Sequence, residues 1–519
     1  MRVSCLTHAW KCGIVSVAMG SLLAVSTSAQ NLLEKATVWV TTNRAAGPEG
    51  WVPEITFGKQ GTYALMLRTE FTVQALPRTP VLTLKKNPHI SEWTLNGQAL
   101  LGPPKDMFFP EWEGLPVSAL KVGKNVLEAS FKVNVREDKG KLSPSSSGEI
   151  TLALNPGDVK QFEIRTGPVL GAAGYDYFTV GCRTRMPAIV TLHCDGRTWA
   201  SKPGVIHRLR ADGLKEGKGY EYKLVASLVG GGATASSKTW KVKTLSSKGP
   251  WTFVAFGDAR NNPKIWGRIT AEAMKFKPDF VMHTGDIIGN GNDYEAWDRE
   301  FSKPSEEFLA TVPCFYTFGN HENNVSMIYE LFGFPQDERS SYTQLIGPVQ
   351  LFAMNRFENW GKGSANLVRM EKELAASKAP FIFAFTHPPA WSSGSHGNDS
   401  LGKEVHFPIF DTYGVTALIA GHDHCYERSE PGGTSMLIAG GAGASLYKPE
   451  HAKDNPHSKV YRSEYGFLVF QTDGAKCGMA AYVYGGLDTP DEQRKLEEVD
   501  RREWAPRQRF GKPPGGKQR

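Results

Sequence analysis

Short apolar runs separated by turn residues fill the first third of the chain. Between about residues 31 and 155 they fall at 37–40, 63–73, 81–84 and 125–135, a spacing that predicts an antiparallel β-sandwich. A second β-rich stretch follows from about 160 to 246, with strands predicted at 177–183, 188–194, 220–228 and 239–244. After Ser246-Ser247-Lys248-Gly249 the pattern changes. Apolar strands now alternate with helical segments, 264–276 and 364–377 among them, in which apolar residues recur every three or four positions. That alternation predicts an α/β domain. No solenoid or propeller repeat interrupts it.

Composition adds that the 519 residues exceed one ordinary core, and that 54 Gly and 32 Pro suit turn-rich β architecture. Arg2 and Lys11 precede an apolar stretch at 13–25, and Thr27 and Ala29 follow it. This reads as an export signal with the mature chain starting near Gln30. The apolar stretch is shorter than the roughly 20 residues a spanning helix needs. The expected location is periplasmic or secreted, with no membrane span in the mature chain. Loss of Cys5 and Cys12 with the signal leaves Cys182, Cys194, Cys314, Cys425 and Cys477. An odd number of widely spaced cysteines argues for buried free thiols over a disulfide framework. The net charge of +7 owes much to Arg501, Arg502, Arg507, Arg509, Lys512, Lys517 and Arg519. Without interleaved aromatics this end reads as a solvated, unstructured tail, and no nucleic-acid partner is expected. The expected organisation is a signal at 1–29, β-sandwiches at 30–158 and 159–247, a catalytic α/β domain at 248–487 and a basic tail at 488–519.

Five apolar runs of the α/β domain each end in residues able to hold a hard or borderline metal. They lead into Gly257-Asp258, Gly285-Asp286, Gly319-Asn320-His321-Glu322, Thr386-His387 and Gly421-His422-Asp423-His424. Ligands in α/β sheets gather at the carboxyl ends of strands. Carboxylates, an amide oxygen and imidazoles suit Mn, Fe or Zn. Glycine before most of these residues is expected to permit the sharp turn that swings the next side chain inward. His422 and His424, one residue apart, face the same side of an extended segment. Singly, each of these residues has a structural explanation in a turn or a core; together they point to a metal centre.

In this order the motifs resemble the calcineurin-like metallophosphoesterase superfamily. The Tyr426-Glu427-Arg428 that follows is similar to a sequence of purple acid phosphatases. The resemblance implies a domain of two packed sheets flanked by helices and a centre of two divalent or mixed-valence ions of Fe, Mn or Zn. It makes Asp286 the bridging carboxylate, with Asp258 and His424 on one ion and Asn320, His387 and His422 on the other. A metal-bridging hydroxide would attack the phosphorus of a phosphate ester, and His321 would protonate or stabilise the leaving alkoxide. The stretch 159–247 resembles the fibronectin type III-like sandwich preceding purple acid phosphatase catalytic domains, and 30–158 resembles galactose-binding-like jelly rolls. The latter implies a carbohydrate or cell-surface partner through Trp51, Trp93 and Trp112, although a sandwich core explains these tryptophans more simply.

Two positions depart from the family pattern. Gly289 stands where purple acid phosphatases carry a ligating tyrosine, which implies a protein without their purple colour; Tyr294 is nearby but reads as packed beside Trp297. Arg260 stands where many superfamily members have a histidine, and either contacts the substrate phosphate or pairs with a carboxylate. His396 resembles a substrate-side histidine and equally suits a loop position. Phosphomonoester hydrolysis is the leading expectation. Phosphodiester hydrolysis at the same centre is the nearest alternative, and a surface-binding protein with a structural metal is another. An extra histidine beside Asn320 favours the enzyme.

Overall fold

The computed structural model describes the chain continuously from residue 162 to 507, apart from 230, 232 and 336–338; before 162 it describes strand backbones and a few side chains. The export signal lies almost wholly outside the described residues, as do the side chains of Trp51, Trp93 and Trp112 and everything after 507. The four predicted runs of the first region fall on strands Lys35–Thr41, Gly61–Val73, Val81–Lys85 and Gly123–Asp138. These divide between two sheets. One orders Lys35–Thr41, Gly61–Val73, Gly123–Asp138, Ile90–Leu95 and Gln98–Ala99, while Val81–Lys85 pairs with Ile150–Asn155 and Glu111–Pro116 in the other. The Leu95–Gln98 turn is closed by Asn96 and Gly97 at φ of 52° and 80°, the pair a two-residue hairpin of this hand demands.

The next region is also a sheet, built on one long strand. The two strands predicted at 177–183 and 188–194 are a single one, Phe178–Cys194. Its first half pairs with Ile164–Ala173, its second with Gly219–Leu228, and the register with Gly204–Ala211 shifts between Arg183 and Ala188. Met186-Pro187, which reads as a break in sequence, sits at that irregularity. The sheet is pressed onto the α/β domain. Tyr222 donates its hydroxyl to the Ala310 carbonyl at 2.7 Å, and a Cβ on Gly181 would lie 1.9 Å from the Leu331 oxygen. Gly181→Ala is therefore expected to destabilise the chain by at least about 2 kcal/mol, read from denaturant unfolding, because backbone must move to admit the methyl.

His207 of this sheet is fully buried between the Thr184 and Ser201 hydroxyls, and burial lowers its pKa from 6.5 to about 4. The unfolded imidazole takes its proton first on acidification. Stability is thus undiminished above pH 6.5 and falls as pH drops toward 4, by about 3 kcal/mol in all. His207→Asn is expected to flatten that dependence in urea titrations.

In the α/β domain two sheets face each other. One orders Cys314–Tyr316, Phe280–His283, Trp251–Phe256, Gly466–Thr472, Cys477–Val483 and Glu497–Trp504. The other orders Tyr342–Ile346, Val349–Ala353, Phe381–Phe385, Ala417–Ala420, Ser435–Ala439, Tyr426–Ser429 and Ser458–Arg462. Phe253 stacks between Phe280 and Phe470 at 4.8 Å on each side and meets Phe383 of the other sheet edge-on at 5.4 Å. The predicted helices are observed at Pro263–Met274 and Ala365–Ala376, and the Asn262 and Ser364 side chains cap them by accepting from Ile265 and Leu367 N–H. Cys182, Cys194, Cys314, Cys425 and Cys477 are free and buried.

The unstructured tail expected over 488–519 is corrected for its described part, 488–507. Glu497–Trp504 is an edge strand on Cys477–Val483, and Trp504 packs against Phe383 and Phe470. Arg507 donates to the Ala379, Tyr413 and Ser377 carbonyls. Charged residues along most of its length suit a strand with one wet edge, and a charge-based reading misses it because only Val499 and Trp504 carry the apolar signal.

Candidate metal centre

The five motifs converge where parallel strands of the two sheets end. Asp258 follows Trp251–Phe256, Asp286 follows Phe280–His283, Asn320 follows Cys314–Tyr316, His387 follows Phe381–Phe385, and His422 follows Ala417–Ala420. The glycines contribute differently from the expectation. The left-handed residues are the ligand candidates themselves, Asp258, Asp286 and His422, at φ of 60°, 55° and 70°. Among Gly257, Gly285, Gly319 and Gly421 only Gly285 has positive φ. What the four share is close approach: a Cβ would lie 2.0 Å from Thr284 Oγ1 at Gly257, 2.0 Å from Asp286 Oδ1 at Gly319 and 2.3 Å from Asp258 Oδ2 at Gly421. At Gly285 it would lie 2.3 Å from the Gly319 nitrogen. The glycines let strand ends and carboxylates crowd into one volume.

Asp258, Asp286 and His387, all buried, offer donor atoms within 4.8 Å of one another, the one such cluster among the described residues. His387 Nδ1 lies 2.8 Å from the Thr284 carbonyl and donates to it. That leaves Nε2 as a lone pair facing Asn320 Oδ1 at 3.0 Å, His422 Nδ1 at 3.2 Å and Asp286 Oδ1 at 3.5 Å. His424 is oriented in the same way, Nδ1 donating to the Ser445 carbonyl at 2.6 Å and Nε2 lying 3.5 Å from Asp258 Oδ1. Carbonyl partners that set the tautomer of a facing imidazole are the usual outer support of metal ligands.

The electrostatics fit cations. Asp258 Oδ1 is buried with no hydrogen-bond partner, and burial together with Asp286 pushes the Asp258 carboxyl well above its ordinary range. Against the same burial, His387, the His321 N–H and Arg260 hold Asp286 below it. Burial and Arg260 lower His424 to about 4, and burial and His387 lower His422 further, so both imidazoles are neutral and available. An orphaned carboxylate oxygen facing neutral ring nitrogens is the donor set a divalent ion satisfies.

Several residues surround these. His321, partly exposed, donates Nδ1–H to the Gly289 carbonyl at 2.7 Å, and its Nε2 lies 3.8 Å from Asp286 Oδ2. Arg260 Nε is 3.4 Å from Asp286 Oδ2 and Nη2 is 3.4 Å from His424 Nε2, so the contact is with the cluster itself. The His396 ring stacks on His422 at 3.9 Å, and its backbone N–H donates to Asp423. His283 is a packed strand-end residue whose Nδ1 accepts from Gly285 N–H.

Two functional groups escaped the sequence reading. The buried Glu322 carboxylate accepts from the N–H groups of Asp286, Ile287 and Gly319, tying two ligand-bearing loops together; burial and Asp286 raise it to about 8. It stands inside the Asn-His-Glu motif and was legible there. Arg356 donates Nη1–H to Asn320 Oδ1 at 3.2 Å, and no local pattern marks it. Tyr294 is not a ligand. It is buried beneath the Arg183 guanidinium, 3.5 Å from its ring centroid, and burial raises it to about 12. A Cβ on Gly289 would lie 2.4 Å from Asn261 Oδ1. Gly289→Tyr is accordingly expected not to add a ligand: the iron-loaded variant should show no new tyrosinate absorption in the visible.

Residues 252–426 match the family described as calcineurin-like phosphoesterase. Acid phosphatase type 7 of Homo sapiens is 25% identical over 313 residues, covering 50% of this chain and 70% of that protein. Tartrate-resistant acid phosphatase type 5 of Mus musculus is 26% identical, covering 41% and 79%. Among solved structures, purple acid phosphatase PPD1 from yellow lupin (Lupinus luteus) seeds superposes with a TM-score of 0.58 at 16% identity over 91% of this chain and 96% of that one, a likeness of fold.

Proposed function

We propose that this chain, whose residues 252–426 match the calcineurin-like phosphoesterase family and which is similar to acid phosphatases, hydrolyses phosphate esters with metal and is a phosphomonoesterase with a two-metal centre. Asp286 would serve both ions, Asp258 and His424 would hold one, and Asn320, His387 and His422 would hold the other. Bound there, divalent or mixed-valence Fe, Mn or Zn supplies Lewis-acid charge stabilisation and acidifies water.

The protein's own groups do the rest. His321, its Nδ1 proton committed to the Gly289 carbonyl, presents Nε2 to the centre. A proton at Nε2 passes to the departing alkoxide, which is poor at leaving as an anion. Glu322 fixes the backbone beneath Asp286. The observation carrying the monoester reading is the pair of guanidiniums, Arg260 beside Asp286 and Arg356 beside Asn320. With only two carboxylates among the proposed ligands, two divalent ions and two guanidiniums leave a strongly positive site. That favours a dianionic monoester over a monoanionic diester. His396, stacked on His422, borders the substrate.

Around the catalytic domain, we propose export by the signal at 1–29 to the periplasm or outside. The β regions at 30–158 and 159–247 are proposed as a jelly roll offering a carbohydrate or surface contact and a fibronectin type III-like unit. No helix among the described residues is long and apolar enough to cross a membrane.

The test is hydrolysis of a chromogenic phosphomonoester and the matching diester with Mn, Fe or Zn. Faster turnover of the monoester is expected. Preference for the diester would move the substrate class, and a folded, metal-loaded sample inert to both would leave surface binding with a structural metal as the better account.

A further inference from the structure

The sheet that precedes the catalytic domain reaches the loop on which His321 depends. Arg183, in the middle of Phe178–Cys194, is fully buried; its Nε donates to Thr166 Oγ1 at 2.8 Å, and its Nη2 donates to Asp298 Oδ2 at 2.5 Å. Its guanidinium carbon sits 3.5 Å from the Tyr294 ring centroid, and Thr166 donates to the other Asp298 oxygen. Beside it, Arg165 holds Glu295 through two hydrogen bonds of 3.2 and 2.8 Å. Six side chains of the preceding sheet and the loop thus lock onto one another around a buried, hydrogen-bonded ion pair and an aromatic ring under the guanidinium, geometry that an arginine fork supplies and a lysine does not.

The clamped segment is the one that meets His321. Trp297, next to Asp298, is buried and donates its indole N–H to the Gly291 carbonyl at 3.1 Å. Gly291 N–H donates to the His321 carbonyl at 2.7 Å, and Glu300 accepts from Gly289 N–H at 2.8 Å. Gly289 in turn offers the carbonyl that takes the His321 Nδ1 proton. A Cβ on Gly291 would lie 1.9 Å from the Glu322 oxygen, so the two loops touch backbone to backbone. Each link is a hydrogen bond, a packed contact or a step along the chain, and the run from Arg183 to His321 is continuous.

We propose that Arg183 and Arg165 are positioning residues for His321, and that the sheet carrying them is a working part of the active site through the segment 289–300. The proposal rests on the reading of His321 as proton donor to the leaving group. Removing the clamp frees Gly289 to drift, and the imidazole then loses the partner that fixes its tautomer and aim. Loss of aim matters where the leaving group needs a proton and little where it does not.

The test uses the full metal-loaded chain with two substrates, an alkyl phosphate and dinitrophenyl phosphate, whose leaving group departs unprotonated. In Arg165→Gln, Tyr294→Leu and Arg183→Lys, kcat on the alkyl phosphate is expected to fall about tenfold or more, with KM, metal content and kcat on dinitrophenyl phosphate nearly unchanged. Arg165→Gln touches a partly exposed pair, so it keeps the test open if the buried variants fold poorly. In the metal-free protein the imidazole nitrogen shifts of His321 should report a lost Nδ1–H hydrogen bond. Equal losses on both substrates, or none, with unchanged imidazole shifts, would overturn the clamp. His321→Ala is the control: if it fails to discriminate between the substrates, the proton-donor reading falls instead, and the clamp is judged on the nitrogen shifts alone.

Discussion

Asp286→Ala is expected to abolish metal-dependent phosphate ester hydrolysis, by about three orders of magnitude or more, and to reduce bound metal at the same time. Asp286 is the carboxylate that the rest of the site is built around. His387, His321 and Arg260 all approach its two oxygens, and the His321 backbone N–H donates to Oδ1 at 3.0 Å. Its removal leaves two guanidiniums and the remaining cation charge facing one carboxylate, so the variant loses affinity for the ions as well as for chemistry. Metal content by elemental analysis and kcat on a monoester check both halves. A variant with full metal content and wild-type turnover would remove Asp286 from the centre. Conservative replacement by asparagine keeps the shape, since Oδ1 can still accept from His321 N–H. It loses the charge, and should therefore fall between wild type and alanine.

The second large effect separates chemistry from metal binding. His321→Ala should lower kcat by about a hundredfold to a thousandfold while leaving metal content unchanged. The distinction follows from geometry: His321 shares with His387 and His424 an Nδ1 tied to a backbone carbonyl, but its ring is partly exposed and its Nε2 stands 3.8 Å from Asp286. His387 and His424 are buried, and their free nitrogens face the cluster. His387→Ala should consequently cost metal first. If His321→Ala loses metal to the same degree as His387→Ala, the assignment of His321 to the leaving group does not stand.

Much of this site could be read from the chain because its parts are local. Each ligand candidate terminates an apolar strand, and a strand, a glycine and a polar residue are all neighbours in sequence. Gly257-Asp258 or Gly421-His422 therefore announces both its element and its chemistry. The helices at Pro263–Met274 and Ala365–Ala376 were equally legible, from apolar periodicity bounded by Asn262 and Ser364. Glu322 was visible within its motif but its use was not, since a carboxylate reading reveals charge and not the three backbone N–H groups it collects.

What the sequence determined by itself is the order of most elements and the candidate donor residues, of which the structure brings Asp258, Asp286 and His387 into one cluster. The tertiary structure decided the rest, because it depends on which distant segments meet. Arg356 finds Asn320, and Arg183 finds Asp298 and Tyr294, only when separate sheets pack. The Glu497–Trp504 strand exists because Cys477–Val483 offers an open edge and Phe470 a surface for Trp504, neither of which is written near residue 497. Even the glycines follow this division. Their positions are plain in the chain, but their reason, a Cβ that would strike a carboxylate or a strand end arriving from elsewhere, is a property of the packed centre.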